Sequence, residues 1–571
     1  MYIAEVPNRA SPPAFLLRES YREDGKVRTR TLANLSSLTT QQREGVRCAL
    51  RGETVFAGGG GIEKIRDRSH GAVAAVELAV RKLGLGRIID RCASRERNLV
   101  MALLISRIVD AESKLATTRT WQSTTVPEDR DIVDATEDDV YAAMDWLFER
   151  QDEIEKSLAK RHLRNDGLVL YDLSSSYFEG RTCPLAKLGH NRDGKKGKLQ
   201  VNYGLLTDER GCPIAVSVYE GNTSDSTTLV EQAERVQDTF GIDTMVLVGD
   251  RGMISQKQIS ALRNRKGVAW ITALKSGQIR TLIRDGAIQL GLFDDRDLCP
   301  VEHAAFPGER LIACKNHELA KLRAYKRKSL IDATYKELLA IQGILERGHN
   351  KKLRGKGMIG LRVGKVINKY KVAKHFALEF TDTGFEFQIR EDRVTAEAAL
   401  DGLYVIRTPL AKQRTSDEQV VRDYKKLSNV ERAFRSMKTI DLHVRPIHHR
   451  LECRVRAHIF LCMLAYYVEW HMREAWRSVT FADEDLDAKT ARKPVAPAQR
   501  STNALAKVHS KHLQDGSRAH SFRTLLADLG TITRSTFAPV GTTDSRHAFT
   551  MLTVHTVAQQ QAFDLLKSIA V

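Results

Sequence analysis

GLVLYDLSSSYFEG, residues 167–180, opens with a leucine- and valine-rich run that reaches Asp172, and MVLVGDRGM, residues 245–253, repeats the arrangement around Asp250. An apolar run of four to eight residues predicts a buried strand. A carboxylate at the carboxyl end of such a strand stands at the rim of a sheet, where open α/β folds carry their chemistry. Two acids brought to one rim predict a site for divalent cations and raise the question of a third ligand.

The segments between and after these runs define the sheet. LQVNYGLLTD (199–208) and PIAVSVYEG (213–221) alternate around Glu209-Arg210-Gly211 and predict an antiparallel hairpin. TTLVEQAERVQDTFG (227–241) predicts a helix with Asp225 or Ser226 as its cap, SQKQISALRNRKG (255–267) a second helix, and VAWITAL (268–274) a last strand, in which Trp270 is core. Three strands, helix, strand, helix, strand is the RNase H-like order. The fold class expected is therefore α/β within an α+β multidomain chain, with a mixed five-strand sheet.

Upstream, AVAAVELAVRKLGLGRIIDR, NLVMALLISRIVD and DDVYAAMDWLFERQDEIEKSLAKRH space apolar residues by three and four, as amphipathic helices do. Asp24-Gly25 predicts a hairpin in residues 1–37, and the GGGG at 58–61 a flexible turn. Downstream, 318–347 is a long basic helical stretch, HNKKLRGKGM (349–358) a cationic loop, and 359–407 β-rich. The expected division is 1–70, N-terminal hairpin segment and linker; 71–165, helical and a candidate DNA-binding domain; 166–275, first part of the core. It continues with 276–410, a basic and β-rich insertion; 411–480, last part of the core; 481–571, linker and C-terminal region.

The 571 residues exceed what one hydrophobic core organises. The 90 basic against 71 acidic residues give a formal charge of +19, which favours a polyanionic partner. A glycosidase using paired carboxylates would need aromatic sugar platforms, and the 6% aromatic content with that charge disfavours it. The eight cysteines form no C-x-x-C pair, which argues against a structural zinc site and fits a reducing cytoplasm. The N-terminus lacks signal-peptide character, and the apolar stretch 459–470 is too short and too closely flanked by charge to span a bilayer. A soluble protein is expected.

Residues 416–442 predict one helix on which Tyr424, Glu431 and Lys438, spaced by seven, share a face, with Arg435 one turn beyond Glu431. Glu431 is the candidate third acid. Asp193, Asp208 and Asp225 are read as structural, and the histidines at 443, 448 and 449 lack metal-ligand spacing beyond an adjacent pair.

The words YDLSSSYFEG, GHNRDGKKGKLQVNYGLLTDERGCPIAVSVYEGNTSDSTTL, LVGDRGM and VERAFRSMK resemble DDE transposases of bacterial insertion sequences, in the branch with a β-rich insertion before the third acid. ESYREDGKVRTRTLANL matches the usual opening of that branch. Tyr424, Glu431 and Lys438 fall at the matching places of its Tyr-x2-Arg-x3-Glu-x6-Lys signature, and Leu427 occupies the arginine slot. The resemblance implies cleavage at element ends and 3′-OH strand transfer, with Asp172, Asp250 and Glu431 as catalytic residues and ligands of two Mg²⁺ ions, Mn²⁺ substituting. It implies Tyr424, Arg435 and Lys438 as DNA contacts, packing being the other reading of Tyr424. The partners implied are double-stranded DNA of the element ends and target, and a second copy of the chain. A nuclease that cuts without joining and an inactive DNA-binding derivative are the alternatives.

Overall fold

The computed structural model describes residues 1–9, 11–52, 62–289, 293–347, 355–485, 492–539 and 548–570, together with 291, 353 and 487. The GGGG at 58–61 and half of HNKKLRGKGM (349–358), namely 349–352 and 354, lie outside them. The chain opens with an antiparallel meander of β1 (Tyr2–Val6), β2 (Ala14–Glu23) and β3 (Lys26–Asn34). Asp24 at φ 49° and Gly25 at φ 75° make the two-residue turn between β2 and β3, where left-handed backbone matches strand twist. The next strand, β4 (Ile62–Ser69), lies in the expected linker; its partner comes from the other end of the chain.

Helices Gly71–Lys82, Arg95–Val109, Glu137–Glu149 and Gln151–His162 follow. Thr136 and Asp139 close a capping box on the third of these, with three acids in its first turn. Leu99 to Ile108 is buried without interruption, because the helix is covered on all sides. Much of that cover is the helix Glu452–Ala475, whose residues 457–472 are all buried. The apolar 459–470 stretch is thus a central core helix, and no helix among the described residues is long and apolar enough to cross a membrane.

The central sheet begins with β5 (Gly167–Tyr177), β6 (Gln200–Asp208) and β7 (Pro213–Glu220), an antiparallel meander. β8 (Met245–Val248) and β9 (Val268–Ala273) continue it on the other side of β5, both parallel to it. Helices Asp225–Glu234 and Gln256–Arg263 make the crossovers.

The sheet has eight strands, where five were expected. Beyond β9 lie β10 (Leu298–Val301) and β11 (Arg310–Lys315), joined to it through β14 (Leu403–Thr408), in the order β10-β11-β14-β9. β14 pairs antiparallel with β9 through Ile406↔Ala273 and Arg407↔Thr272, and the Leu274 amide donates to Val405 at 2.8 Å. An uncovered β9 would have left a buried-type strand with unpaired backbone groups.

The remainder of 276–410 is less β-rich than expected. Its middle is the helix His317–Glu346, the helix Lys356–Tyr370 and the hairpin β12 (Phe376–Phe380) with β13 (Phe385–Ile389). Ile331, Leu338, Ile359, Val363, Phe376 and Phe385 give these elements a core of their own. Ile359, Val363, Val366 and Ile367 are β-branched, which invites a strand reading, but their spacing is helical.

At the C-terminus β15 (Thr533–Pro539) lies between β4 and β16 (Phe549–Leu552). The amides of His70 and Gly71 both donate to Ile532 O at 2.9 Å, and a Cβ on Gly71 would stand 2.1 Å from Leu529 O. Only glycine permits that approach.

Candidate active site

Asp172 lies within β5 rather than at its end: the strand runs on to Tyr177, and Asp172 faces Leu205 of β6. On the other side, pairing with β8 stops at Leu170↔Val248. From there β5 has no β8 neighbour, and that step in the sheet makes the rim. Asp250 follows β8 in a turn in which Met253 and Ile254 amides donate to its carbonyl at 3.0 and 3.3 Å.

Glu431 comes from the helix Leu427–Arg435, which packs on β5. Val430, Ala433 and Phe434 are its buried face, Phe434 meeting Tyr203 edge-on at 5.7 Å, and Glu431 stays exposed. The three carboxylates share one field. The Asp172 carboxyl is pushed up to about 7, first by burial and then by the charges of Asp250 and Glu431; the Leu173 amide and Arg192 pull against this. A carboxylate held up by two like charges gains most from a neighbouring cation, and an all-oxygen donor set suits a hard one.

Tyr424 is half-buried and its hydroxyl donates to Asp250 Oδ1 at 3.4 Å. Burial, then Asp250, holds the phenol well above its ordinary range, so it stays a hydrogen-bond donor. Arg435 is exposed and its side chain has no hydrogen bond or ion pair among the described residues. Leu427, in the arginine slot, packs against the core.

The single helix expected over 416–442 is instead three pieces: Asp417–Lys425, Leu427–Arg435 and a wide π turn, Ser436–Ile440. The wider turn breaks the seven-residue register, so Lys438 does not follow Glu431 to the rim. Its ammonium is buried and donates to Asp193 Oδ1 at 3.0 Å. In this structure its charge is paired with Asp193, which also receives Arg445 and the Tyr177 amide. Burial lowers the Lys438 ammonium, with Asp193 opposing.

Arg192 escaped the sequence reading. It pairs with Asp225, and its remaining Nη1 is buried without a hydrogen-bond partner among the described residues. Its position in HNRDGKKGK, next to Asp193, was the available signal. Asp225 is correspondingly no cap: Ser224 holds the cap position and Asp225 the first turn. Asp208 accepts from the amides of Arg210 and Cys212, both at 2.9 Å, and holds the β6–β7 turn. Beside the rim, Tyr177, Asp193, Lys195, Lys438, Thr439, His443 and Arg445 line an open cleft of about 320 Å³.

Residues 178–468 match a family model described as the transposase DDE domain, and residues 4–60 one described as the IS1634 family transposase N-terminal domain. Asp250 and Glu431 lie inside the larger match; Asp172 precedes its first residue. Among solved structures the chain is similar to a piggyBac transposase in a synaptic complex with hairpin DNA, at 9% identity over 80% of this chain and 76% of that one, with a TM-score of 0.36. No curated protein matches.

Proposed function

Because the chain belongs to the DDE transposase family and is a DNA transposase, an enzyme of phosphodiester chemistry, we propose that Asp172, Asp250 and Glu431 form its catalytic centre. The observation that carries this reading is the step in the sheet: β8 ends two residues before Asp250, level with the point two residues before Asp172, and the Glu431 helix packs on the same strand. The order β7-β6-β5-β8-β9, with β6 antiparallel to both neighbours, supports an RNase H-like core, here enlarged by three strands of the insertion.

Two divalent cations, Mg²⁺ with Mn²⁺ as a substitute, would be held by Asp172, Asp250 and Glu431 and would supply an activated oxygen nucleophile and stabilisation of the departing 3′ oxygen. The protein's own part is placement. Tyr424 orients Asp250 through its hydroxyl, and Arg435, exposed one turn from Glu431, meets backbone phosphate. Lys438 acts one layer back, through Asp193, on the loop that carries Lys195 into the cleft. Water nicks the element end and the freed 3′-OH attacks a target phosphodiester. The helical segment 71–165 and the basic insertion 276–410 carry further DNA contacts, and two copies pair two ends. The reaction takes place where chromosomal DNA lies, in the cytoplasm.

Strand cleavage on DNA bearing the element's ends tests the reading, with Mg²⁺, Mn²⁺ or EDTA and with Asp172→Ala and Glu431→Ala beside the wild type. Metal-dependent 3′-OH formation and end joining, lost in both variants while DNA binding survives, is the expected result. Cleavage that persists in both variants would place the active site elsewhere.

A further inference from the structure

Away from the carboxylates, three other metal-binding side chains meet. His162 is the last residue of the helix Gln151–His162, Cys212 follows the β6–β7 turn, and His471 lies on the core helix Glu452–Ala475. One ligand atom of each lies within 4.8 Å of the other two. Cys212 Sγ and His471 Nε2 are 3.8 Å apart, and the two imidazole centroids 5.7 Å. Among the described residues this is the one His/Cys/Asp/Glu group with that convergence.

We propose that His162, Cys212 and His471 bind a zinc ion. Tetrahedral zinc with bonds of about 2.0–2.1 Å to nitrogen and 2.3 Å to sulfur spaces its ligand atoms by roughly 3.3–3.6 Å. The Cys212–His471 pair is within a few tenths of an ångström of that range as it stands. Closing the third side needs a shift of at most about 1–1.5 Å, within the reach of side-chain torsions at the end of a helix.

The surroundings supply what a ligated imidazole needs. His162 Nε2 is held by the Tyr467 hydroxyl at 3.0 Å, an outer contact that fixes the ring and leaves Nδ1 for the ion. Nδ1 now faces Arg210 at 3.5 Å, but Arg210 is paired with buried Asp208 at 2.8 Å, so that cation is already balanced. Asp208 also holds the Cys212 amide, which sets the thiol's place. Coordination requires the thiolate, so the Cys212 proton goes to solvent as the ion binds. Thiolate and imidazole select a softer ion than the carboxylate rim does, which separates this site from the proposed Mg²⁺ site by chemistry.

The role is structural. The β6–β7 turn that leads into Cys212 carries the Glu431 helix on its other side: Lys426 pairs with Glu209 at 2.8 Å, and Asn429 donates to Glu209 O at 3.3 Å. An ion tying the turn to two helices of the core would stiffen the seat of Glu431. Sequence spacing gave no sign of it, since each ligand comes from a different element.

Titration of the full-length protein, stripped of metal under reducing conditions, with Co²⁺ tests the proposal. One equivalent giving a thiolate-to-cobalt charge-transfer band, displaced by Zn²⁺, absent in Cys212→Ala and retained in Glu431→Gln, is the expected result. Wild type without that band overturns the proposal and leaves the trio as core packing, whether or not Cys212→Ala folds. A band that survives in folded Cys212→Ala overturns it as well.

Discussion

Asp172, within β5, and Asp250, in the turn that follows β8, each lie two residues past the last β5–β8 pair, Leu170↔Val248. Their separation along the chain is irrelevant to this; the parallel register alone sets it. Asp172 is the more enclosed of the two, and its carboxyl is pushed up to about 7. Asp172→Asn keeps the size of the side chain and removes its charge. Cleavage should fall on the order of 10³-fold or more, as when other preorganised electrostatic groups are removed, while binding of end DNA by gel shift stays within a factor of two or so of wild type, roughly 0.4 kcal/mol on the affinity scale.

Asp193 is the counter-charge for two cations at once, Lys438 and Arg445, and is 2% exposed. Asp193→Ala strands both, Lys438 buried and Arg445 half-buried. Removing one partner of a buried ion pair costs about 3–5 kcal/mol, so the urea midpoint should drop clearly. Lys438→Met with Asp193→Asn should recover a good part of that loss. No recovery in the double variant would mean that the stranded Arg445, which that variant leaves without its counter-charge, carries most of the loss.

Lys114 and Arg107 are buried cations with no hydrogen bond or ion pair among the described residues. Their neighbours are histidines. Burial first, then Lys114 and Arg107, lowers His449 to about 3, and burial holds His458 well below its ordinary value too. Both histidines are therefore neutral in the fold, and an unfolded chain takes up protons that the native one refuses from about pH 6.5 downward. Stability from these groups is complete above that pH and is lost as pH falls toward 3. Urea unfolding should show a lower free energy at pH 5 than at pH 7.5, and His449→Gln should flatten the difference.

Much of the core was legible locally. LVLYDL and MVLV are short leucine- and valine-rich apolar runs, and the 199–221 hairpin announces itself by alternation around Glu209-Arg210-Gly211. What stayed hidden is pairing across long chain separations. Nothing in VAWITAL says that β14, more than a hundred residues later, covers its edge, and nothing in IEKIRDRS says that residues 533–539 complete it. The candidate site shows the same division. Asp172, Asp250 and Glu431 are readable from their own elements, whereas the π turn after Arg435 and the burial of Lys438 on Asp193 depend on tertiary packing.

The β6–β7 turn supports the Glu431 helix through one glycine. Gly211 has φ +87°, a conformation costly for any other residue, and a Cβ there would stand 2.6 Å from the Asn429 Cβ, two residues before Glu431. Gly211→Ala therefore carries both backbone strain, of about 1–3 kcal/mol, and a direct push on the helix. The push predicts more than a stability loss: at a temperature where the variant is fully folded, cleavage should still fall roughly ten- to a hundredfold, since an ångström of misplacement at a catalytic group has effects of that order. Asn429→Ala offers the clean control, because it keeps a Cβ but removes the Asn429 bond to Glu209 O. If that variant cleaves at near wild-type rate while Gly211→Ala is slow, helix displacement is the cause. Equal activity of folded Gly211→Ala and wild type would show that the helix yields to the turn without moving Glu431.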